Sequence, residues 1–439
     1  MTQTITIESA LDRAGTGSFQ RRLLGIFGLV WAADAMQVLA VGFTAASIAA
    51  SFGLSVPEAL QTGTLFFLGM LIGAALFGRL ADRYGRRNVL LITVGCDAVF
   101  GLLSVFAPNF LVLLGLRFLT GMAVGGTLPV DYAMMAEFLP PRNRGRWLVL
   151  LEGFWAVGTI VVAIAAWVTS ELETPDAWRW IFAITALPAL IGIWLRVLVP
   201  ESPMHLLKAG RADEAKAVLN RMLRANGKPE LPGDTVVAAP AVPSGAGSVF
   251  SPALRRRTVM ILAVWFLVSI SYYGVFTWLP AQLATGGFGF VRGYGFLLIV
   301  ALAQVPGYAL AAYGVEAWGR RPTLLGFLVL SALGCGLFVI ASEPILIGAA
   351  ILLMSFALLG TWGALYAFTP ELYPTASRAT GMGVAGAMAR LGGLLAPSAV
   401  ALIVAQSFVA AIGLFAVLLL LGAVATAFID AETRQVALQ

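Results

Sequence analysis

The stretch Gly78-Arg79-Leu80-Ala81-Asp82-Arg83-Tyr84-Gly85-Arg86-Arg87 carries four arginines and one carboxylate between two long apolar runs. A second copy of its core, Glu316-Ala317-Trp318-Gly319-Arg320-Arg321, follows in the second half of the chain. The shift of 234 residues (316 minus 82) that relates the two copies also fits distant landmarks. It carries Trp31 onto Trp265, Gly126 onto Gly360, Tyr132 onto Tyr366, Glu137 onto Glu371, Pro140 onto Pro374 and Arg144 onto Arg378. One offset that fits so many separated positions predicts two similar halves in parallel order.

The composition indicates that the chain is dissolved in lipid. Of its 439 residues, 59% are hydrophobic and 11% are charged, whereas soluble proteins carry about 25% charged residues. The net charge of +6 does not indicate nucleic-acid binding, because the basic residues lie at the ends of apolar runs. Cys96, Cys335 and the single histidine, His205, form no pattern of a disulfide framework or a metal site. The first 22 residues are polar and lack the apolar region of a cleavable signal.

The apolar runs predict an all-α membrane protein with twelve transmembrane helices. Each run is long enough to span a bilayer, which takes about 20 residues. The predicted spans are 23–45, 59–80, 88–107, 110–136, 147–169, 178–199, 256–279, 289–313, 322–341, 344–369, 379–404 and 408–429. They form two six-helix pseudo-symmetric bundles, in residues 1–199 and 255–439. Between them, residues 200–254 predict one or two amphipathic helices at 204–225 and then a linker.

Lysine and arginine set the expected orientation. Nearly all 28 of them lie in the termini, the central segment and alternate loops, while the opposite loops hold only Arg179 and Arg292. Since positive loops stay on the cytoplasmic side, both termini are expected to be cytoplasmic.

The repeated Asp/Glu-x-x-Gly-Arg-Arg loops, the twelve spans and the long central segment resemble the major facilitator superfamily over the whole chain. Three features resemble its sugar-porter-like branch: Glu137 with Arg144-Gly145-Arg146, Glu371 with Arg378, and Pro200-Glu201-Ser202-Pro203. Three strings are similar to those of bacterial niacin permeases and the related synaptic-vesicle-protein-2-like and organic-ion transporters. They are Leu151-Glu152-Gly153-Phe154-Trp155-Ala156-Val157-Gly158, Ser271-Tyr272-Tyr273-Gly274, and Trp362-Gly363-Ala364-Leu365-Tyr366 leading to Thr369-Pro370-Glu371.

Two charges lie near the middle of their predicted spans, where lipid tolerates them only beside a partner or a cavity. Asp34 lies in the first span, at a depth compatible with a pair to Arg117 in the fourth. The resemblance implies that this pair couples transport to protons, and a static structural ion pair is the alternative. Arg390, in the eleventh span, has no acid in its own helix, so it suits a carboxylate substrate or an acid on another helix.

Three further acids, Glu152, Asp131 and Asp97, lie inside predicted spans, and a role in helix packing or an inner gate is expected for Asp131. Glu152 lies near the inner end of the fifth span and is a candidate for a gate or for proton coupling. Asp97, midway along the third span, is expected to be structural.

Aromatic residues of the fifth, seventh and tenth spans form a candidate substrate site: Trp155, Tyr272, Tyr273, Trp362 and Tyr366. The resemblance implies that two tryptophans enclose a flat ligand in a central cavity, although any one of these residues also suits a core. Of the two adjacent tyrosines, one is expected to face the site and the other to pack. Gln304 precedes Val305-Pro306-Gly307, a predicted helix break, and is a candidate hydrogen-bond partner for a ring nitrogen.

The resemblance also implies a cytoplasmic gate made of ion pairs between the halves. Its residues are Asp82, Arg86, Glu137 and Arg144 in one half and Glu316, Arg320, Glu371 and Arg378 in the other. Positive-inside topology alone is the alternative, although it does not account for the glutamates.

The sequence thus predicts a secondary transporter with alternating access and no enzymatic activity, since phosphate-binding, metal and triad motifs are absent. It is expected to import a small planar aromatic carboxylate, nicotinate first, by proton symport across a bacterial inner membrane. We expect a monomer in lipid without a cofactor. Another organic acid, an organic cation, a sugar-like solute and a non-transporting sensor remain alternatives.

Overall fold

The structure is a computed structural model, and its described part comprises residues 4–140, 144–171, 176–238, 248–285, 293–404 and 407–433. Within these ranges the side chains of residues 82, 129, 193–196, 284–285, 375–376, 378–379 and 399 are not described. Asp82 and Arg378 of the predicted gate therefore lie outside the described side chains.

In the described ranges, the first half and the central segment contain eleven helices and two short strands. In order, they are β1 (Thr4–Thr6), α1 (Ile7–Ala14), α2 (Ser18–Phe52), α3 (Val56–Ala59), α4 (Gln61–Tyr84), α5 (Arg86–Ser104), α6 (Phe110–Glu137), α7 (Arg144–Glu152), α8 (Phe154–Ser170), α9 (Ala177–Val197), α10 (Pro203–Lys208), α11 (Ala212–Ala225) and β2 (Val236–Ala238). The helices α10 and α11 lie in the stretch 204–225, where the sequence predicts a helical pattern.

The second half repeats the arrangement with helices only, among the described residues. They are α12 (Arg255–Thr285), α13 (Gly293–Leu302), α14 (Gln304–Ala317), α15 (Arg320–Ile340), α16 (Pro344–Phe368), a 3-10 turn (Thr369–Leu372), α17 (Thr375–Ala399), α18 (Ala401–Val404) and α19 (Phe408–Ala427).

These helices confirm the predicted membrane fold. In the described part of the chain, eleven helical stretches are long and apolar enough to cross a bilayer. The shorter apolar helix Ala177–Gly192 coincides with the predicted sixth span. The predicted break in the eighth span is present at Ala303, between α13 and α14. Pro306 accounts for it, because proline has no N–H for the carbonyl four residues earlier, at Leu302.

The repeated arginine loops turn the chain in the same way in both halves. Gly85 has φ 97° and Gly319 has φ 108°, and each is followed at once by a transmembrane helix. Only glycine adopts such angles at little cost. We call the end of the bundle that carries Arg86 and Arg320 the arginine face, and the other end the opposite face.

The two halves meet closely at the opposite face. The hydroxyls of Thr64 and Ser398 lie 2.7 Å apart, and Tyr294 donates its hydroxyl to the Phe43 carbonyl at 3.2 Å. Gly42 lies so near the other half that a Cβ there would stand 2.7 Å from the Thr277 carbonyl oxygen. The crossing of α2 and α12 therefore needs a residue without a side chain at this position.

The N-terminal segment is tied to the central segment, a feature that no pattern in the sequence predicts. Strand β1 pairs with β2 in parallel register, with Thr4 opposite Val236. The side-chain amide of Asn226 donates to Ala14 O at 3.0 Å, and its oxygen accepts from Phe19 N at 3.1 Å. These bonds hold α11 beside the first turns of α2.

Candidate functional site

A cavity lies at the centre of the molecule, between the two halves. It contains about 460 Å³ of empty space. The centre of a water-sized sphere can occupy about 30 Å³ of that space. This is room for one or two waters, so the cavity is narrow in this conformation. Its lining consists of Trp31, Met70, Leu128, Glu152, Trp155, Tyr272, Tyr273, Tyr308, Trp362, Tyr366, Ala389 and Arg390.

The predicted aromatic residues meet in this cavity and contact one another. Trp155 donates its indole N–H to the Tyr272 hydroxyl at 2.8 Å across the two halves. Trp362 stands edge-on to Tyr272, with ring centroids 5.8 Å apart at 84°. Trp155 and Trp362 line the same space without a ring contact between them in the described structure.

The expectation that only one of the adjacent tyrosines faces the site was wrong. Tyr272 and Tyr273 both line the cavity, with ring centroids 5.1 Å apart at 72°. Consecutive residues on a helix point about 100° apart, and both side chains nevertheless border the cavity.

Three buried hydrogen-bond donors of the cavity residues have no partner among the described residues. They are the indole nitrogens of Trp31 and Trp362 and the Nε of Arg390. One buried acceptor of the cavity, Oε1 of Glu152, also has no hydrogen-bond partner among the described residues. A buried polar group without a hydrogen bond costs about 1–3 kcal/mol, so a ligand that supplies acceptors for these donors gains that energy on binding.

Arg390 is held with one edge of its guanidinium toward its own helix. Its Nη1 donates to the Gly386 carbonyl at 2.8 Å, and the side chain is 8% exposed. A Cβ on Gly386 would stand 2.9 Å from that nitrogen. Asp34, on the other half, lies near enough for its charge to act on Arg390.

Arg117 does not pair with Asp34 in this structure, unlike the prediction. Its two terminal nitrogens donate to Gln37, to Oε1 and to the backbone carbonyl, both at 2.8 Å. Gln37 lies three residues, or about 4.5 Å of helix, beyond Asp34. The depth estimate was therefore about one turn off.

The surroundings of Arg117 are closed and lie away from the cavity. Phe66 and Phe182 stack on its guanidinium at 4.7 and 4.6 Å, and the residue is fully buried. The carboxylate whose charge acts on it is Asp97, which was expected to be structural. Asp97 is 2% exposed, and its Oδ1 has no hydrogen-bond partner in the described part of the chain.

Gln304 is buried beside the helix break and is not among the residues that line the cavity. Its amide oxygen and nitrogen have no hydrogen-bond partner within the described ranges. Tyr308, one turn further along α14, lines the cavity instead. Tyr308 was not predicted, because the helix break itself favoured Gln304 as the hydrogen-bonding group.

A further aromatic group, of which only Tyr366 was predicted, was already visible in the 234-residue offset. Two equivalent aromatic pairs meet at the interface of the halves. They are Trp31 with Tyr132 in the first half and Trp265 with Tyr366 in the second. Ring centroids are 6.1 Å apart for Trp31–Tyr132, 4.8 Å for Trp265–Tyr366 and 5.4 Å for Tyr132–Tyr366. The offset had served only to identify the duplication, although it also pointed to this symmetric aromatic contact, in which Trp31 and Tyr366 line the cavity.

The described ion pairs at the arginine face join residues of the same half. Arg86 Nη2 lies 2.8 Å from Glu137 Oε1, and Arg320 Nε lies 3.0 Å from Glu371 Oε2. Arg320 also pairs with Glu316 at 3.2 Å. Arg144 donates to the Leu139 carbonyl at 3.3 Å, again within its half. The predicted pairing between halves thus stays a prediction for another conformation.

A duplicated carboxylate at the same face was also missed. Glu201 accepts hydrogen bonds from the backbone N–H of Arg87 at 3.2 and 3.3 Å, at the start of α5. Glu432 accepts from the N–H groups of Arg320 and Arg321 at 2.9 and 3.1 Å, at the start of α15.

The neighbouring hydroxyl residues repeat this arrangement. Ser202 donates to Glu137, and Thr433 donates to Glu371 at 2.5 Å. The dipeptides Glu201-Ser202 and Glu432-Thr433 are 231 residues apart (432 minus 201), so a search allowing a small change of offset would have found them.

A further ion pair lies near the C-terminal end of the described chain. Arg257 Nε donates to Asp430 Oδ1 at 2.8 Å, and this hydrogen bond lowers the pKa of the Asp430 carboxyl below its usual range.

Comparison with known proteins identifies the family. The family model described as "Sugar (and other) transporter" matches residues 59–439. The chain belongs to this family of the major facilitator superfamily. It is therefore a multi-pass membrane protein and a transporter of small molecules, a class of proteins that are not enzymes.

Relatives cover nearly the whole chain of this sugar-transporter family member. It is 37% identical to the niacin transporter NiaP of Acinetobacter baylyi, over 89% of this chain and 88% of the relative. It is 37% identical to the putative niacin/nicotinamide transporter NiaP of Bacillus subtilis, over 96% and 98%. Identity to the synaptic vesicle 2-related protein of Xenopus laevis is 31%, over 99% and 82%.

A solved structure supports the fold. The proton:xylose symporter XylE bound to 6-bromo-6-deoxy-D-glucose superimposes with a TM-score of 0.75 at 18% identity, over 95% of this chain and 97% of that one. At this identity the likeness concerns the fold alone.

Proposed function

We propose that this transporter imports a small planar aromatic carboxylate, nicotinate first, through the central cavity. One observation carries the proposal: Trp31, Trp362 and Arg390 bring three buried donors without partners in the described structure to one aromatic-lined space. A carboxylate has two oxygens with about four acceptor sites, so it suits such a set of donors. A guanidinium adds a charge-assisted hydrogen bond, which is about twice as strong as a neutral one. Two bacterial relatives named for niacin support this choice of substrate.

The rings account for the planar part of the ligand. Trp155, Tyr272 and Trp362 present faces and edges around the narrow space. Offset or edge-on contacts between aromatic rings contribute about 0.5–1.5 kcal/mol beyond the burial of area. Because the space accepts only one or two waters, we expect the halves to separate slightly before a nicotinate enters. In this proposal the hydrogen bond from Trp155 to Tyr272 breaks as the substrate binds.

We propose proton coupling through Asp34, with Glu152 as a second candidate. Asp34 is buried, and its charge acts on Arg390. A substrate carboxylate at Arg390 brings a second negative charge to the same guanidinium. Because like charges in a buried site repel, we expect Asp34 to take up a proton when the substrate binds. Arg117 is then a structural arginine rather than the coupling partner, since Gln37 and two phenylalanines surround it.

The transport cycle proposed is alternating access between two rocking halves, in a monomer in the bacterial inner membrane with both termini cytoplasmic. The arginine face is the proposed cytoplasmic gate, formed by Asp82, Arg86, Glu137, Arg144, Glu316, Arg320, Glu371 and Arg378. Ion pairs within each half, as at Arg86 and Glu137, would exchange for pairs between halves when that face closes.

A second candidate rests on Glu152, whose buried Oε1 has no hydrogen-bond partner among the described residues of the cavity. A carboxylate there suits an organic cation, and one relative is named organic cation/carnitine transporter 7 of Arabidopsis thaliana. Arg390 in the same cavity disfavours it, because a cation would meet a fixed positive charge.

The test is a thermal-shift and uptake comparison with purified protein in proteoliposomes. The ligands are nicotinate, nicotinamide, benzoate, a sugar and a quaternary ammonium compound. We expect nicotinate and benzoate to stabilise the protein more than nicotinamide, which lacks the charge. Stabilisation and uptake of the cation alone would favour the second candidate and contradict the first.

A further inference from the structure

A second cavity lies at the arginine face, away from the proposed substrate site. It contains about 640 Å³ of empty space, of which about 260 Å³ is open to the centre of a water-sized sphere, where about 10–15 Å³ suffices for one water. The start of α2, the residues after α9 and the end of α11 enclose it. Its lining consists of Ser18, Phe19, Arg22, Leu23, Ile26, Leu198, Pro200, Arg221 and Ala225.

The charged groups of this cavity are positive. Arg22 and Arg221 line it from two different segments, and no acid among the described residues lines it. Both side chains are exposed, and neither forms an ion pair or hydrogen bond with another residue of the described chain. Other arginines of the central segment are paired: Arg224 lies 2.7 Å from Glu230, and Arg211 lies 2.6 Å from Glu214.

Apart from Ser18, the rest of the lining is apolar. Phe19, Leu23 and Ile26 form one wall, and they are buried. Leu198 forms the other and is 46% exposed beside Val197, which is 54% exposed. Val197 ends α9 and Leu198 follows it, so the cavity lies beside exposed apolar residues at one end of the sixth predicted span.

We propose that this cavity binds an anionic phospholipid, with the phosphate between Arg22 and Arg221 and an acyl chain along Phe19, Leu23 and Leu198. The two cations without partners in the described chain match a phosphodiester, and the apolar wall matches the chain attached to it. Basic pockets at the cytoplasmic ends of transmembrane helices bind acidic head groups in this way. A bound lipid would bridge α11 to α2, and so strengthen the attachment of the central segment to the first half.

The test measures lipid binding to the delipidated full-length protein by native mass spectrometry, with phosphatidylglycerol and phosphatidylcholine of identical acyl chains. We expect phosphatidylglycerol to bind at least tenfold more tightly. The double variant Arg22→Gln/Arg221→Gln should weaken its binding roughly 10- to 30-fold, since each basic residue contributes about tenfold or less. The matched control is Arg21→Gln/Arg255→Gln, which removes two exposed arginines outside the cavity and should leave binding within twofold.

A second variant, Ala225→Trp, fills the cavity and keeps both arginines, so it tests the site even if the double variant folds poorly. It too should weaken binding. Equal loss in the control and the double variant would overturn the proposal, as would equal affinity for phosphatidylcholine. Displacement of phosphatidylglycerol by millimolar inorganic phosphate would also overturn it, because the site would then bind a free anion.

Discussion

At the scale of single residues, the charges that break the internal symmetry are the informative ones. The 234-residue offset pairs Asp34 with Val268 and Arg390 with Ala156, so neither charge is explained by the duplication. The structure brings these two charges within electrostatic reach of each other, across the interface of the halves. In the same structure, Arg117 donates a hydrogen bond to Gln37 and forms no ion pair with Asp34. Residue type predicted that these charges matter, but not which would meet.

The first residue-scale prediction concerns Arg390. We expect Arg390→Ala to raise the apparent KM for nicotinate uptake about 10- to 100-fold, because a charge-assisted hydrogen bond contributes about 1.5–3 kcal/mol. Arg390→Lys keeps the positive charge, so its apparent KM for nicotinate should rise less than that of Arg390→Ala. Uptake of labelled nicotinate into proteoliposomes provides the measurement. Unchanged affinity of Arg390→Ala for nicotinate would contradict the carboxylate clamp.

The second prediction compares two buried glutamines. Gln37→Ala leaves Nη1 of Arg117 without its acceptor, whereas Gln304 makes no side-chain hydrogen bond in the described structure that Gln304→Ala would remove. We expect Gln37→Ala to be less stable than Gln304→Ala by about 1–3 kcal/mol, the cost of a buried group left unsatisfied. Thermal unfolding of the two purified variants measures the difference. Equal melting temperatures would mean that the hydrogen bond to Gln37 does not stabilise the first half.

At the scale of elements, the arginine loops act as helix starts. Each has a glycine with positive φ and a carboxylate that accepts backbone N–H groups of the helix that follows. Side chains at Gly85 and Gly319 would also collide with these carboxylates, at 2.6 Å from Glu201 Oε2 and 2.9 Å from Glu432 Cδ. The motif that first identified the duplication is thus a capping device for α5 and α15, and its arginines reach acids of the same half.

The element-scale prediction tests this capping. We expect Glu432→Ala to destabilise the protein by about 1 kcal/mol, because it removes the acceptor for two N–H groups at the start of α15. Glu343→Ala is the matched control, since Glu343 precedes α16 and makes no capping hydrogen bond. Thermal unfolding compares the two, and Glu432→Gln should keep most of the stability. If Glu343→Ala lost as much stability as Glu432→Ala, the capping hydrogen bonds of Glu432 would not be the cause of the loss.

At the scale of the whole molecule, two halves enclose a narrow cavity and touch at the opposite face. Besides the rings of Phe43 and Tyr294, the contacts there include small groups: the hydroxyls of Thr64 and Ser398, and the backbone around Gly42. Such contacts separate without exposing a large apolar surface, as rocking halves require.

The first whole-molecule prediction uses Gly42. A Cβ at this position would meet carbonyl oxygens of Phe276 and Thr277 at 2.8 and 2.7 Å, and backbone atoms cannot move aside cheaply. We expect Gly42→Ala to shift the population about tenfold toward conformations with the opposite face open, since such overpacking costs about 1–3 kcal/mol.

The distance between two spin labels measures this opening. The labels are attached at Ser55→Cys and Ser342→Cys in a variant that lacks Cys96 and Cys335. Gly25→Ala is the control, because Gly25 is in the same helix and a Cβ there would have no described atom within 4 Å. An identical distance distribution for both variants would exclude the contact at Gly42 as a determinant of closure.

The second whole-molecule prediction concerns coupling. We expect Asp34→Asn to abolish accumulation of nicotinate driven by a pH gradient while it keeps exchange of labelled for unlabelled substrate. The amide cannot carry a proton, but it leaves Arg390 and the rings in place. Proteoliposomes with and without an imposed gradient distinguish the two activities. Accumulation at the wild-type level would move the coupling role to another acid, with Glu152 tested next by Glu152→Gln.

Much of this architecture was readable from the chain. Apolar runs located the helices, and Pro306 located a break to within three residues of Ala303. The resemblance to transporter strings identified Trp155 and Tyr272 of the cavity lining, and residue type and depth identified Arg390. Partners were harder to predict: Gln37 replaced Asp34 at Arg117, and Tyr308 lines the cavity where Gln304 was expected. A shift of one helical turn, about 5 Å, changes every partner and leaves the hydrophobic pattern the same.

The sequence by itself determined the membrane fold, the duplication and the identities of the unusual buried charges, because lipid selects strongly for apolar runs and against isolated charges. Only the tertiary structure decided which charges meet, which described donors remain without partners, and that the arginine loops cap helices through Glu201 and Glu432. It also revealed the cationic cavity formed by Arg22 and Arg221, which are 199 positions apart (221 minus 22). Their proximity depends on how α11 docks against α2, and no local pattern contains that information.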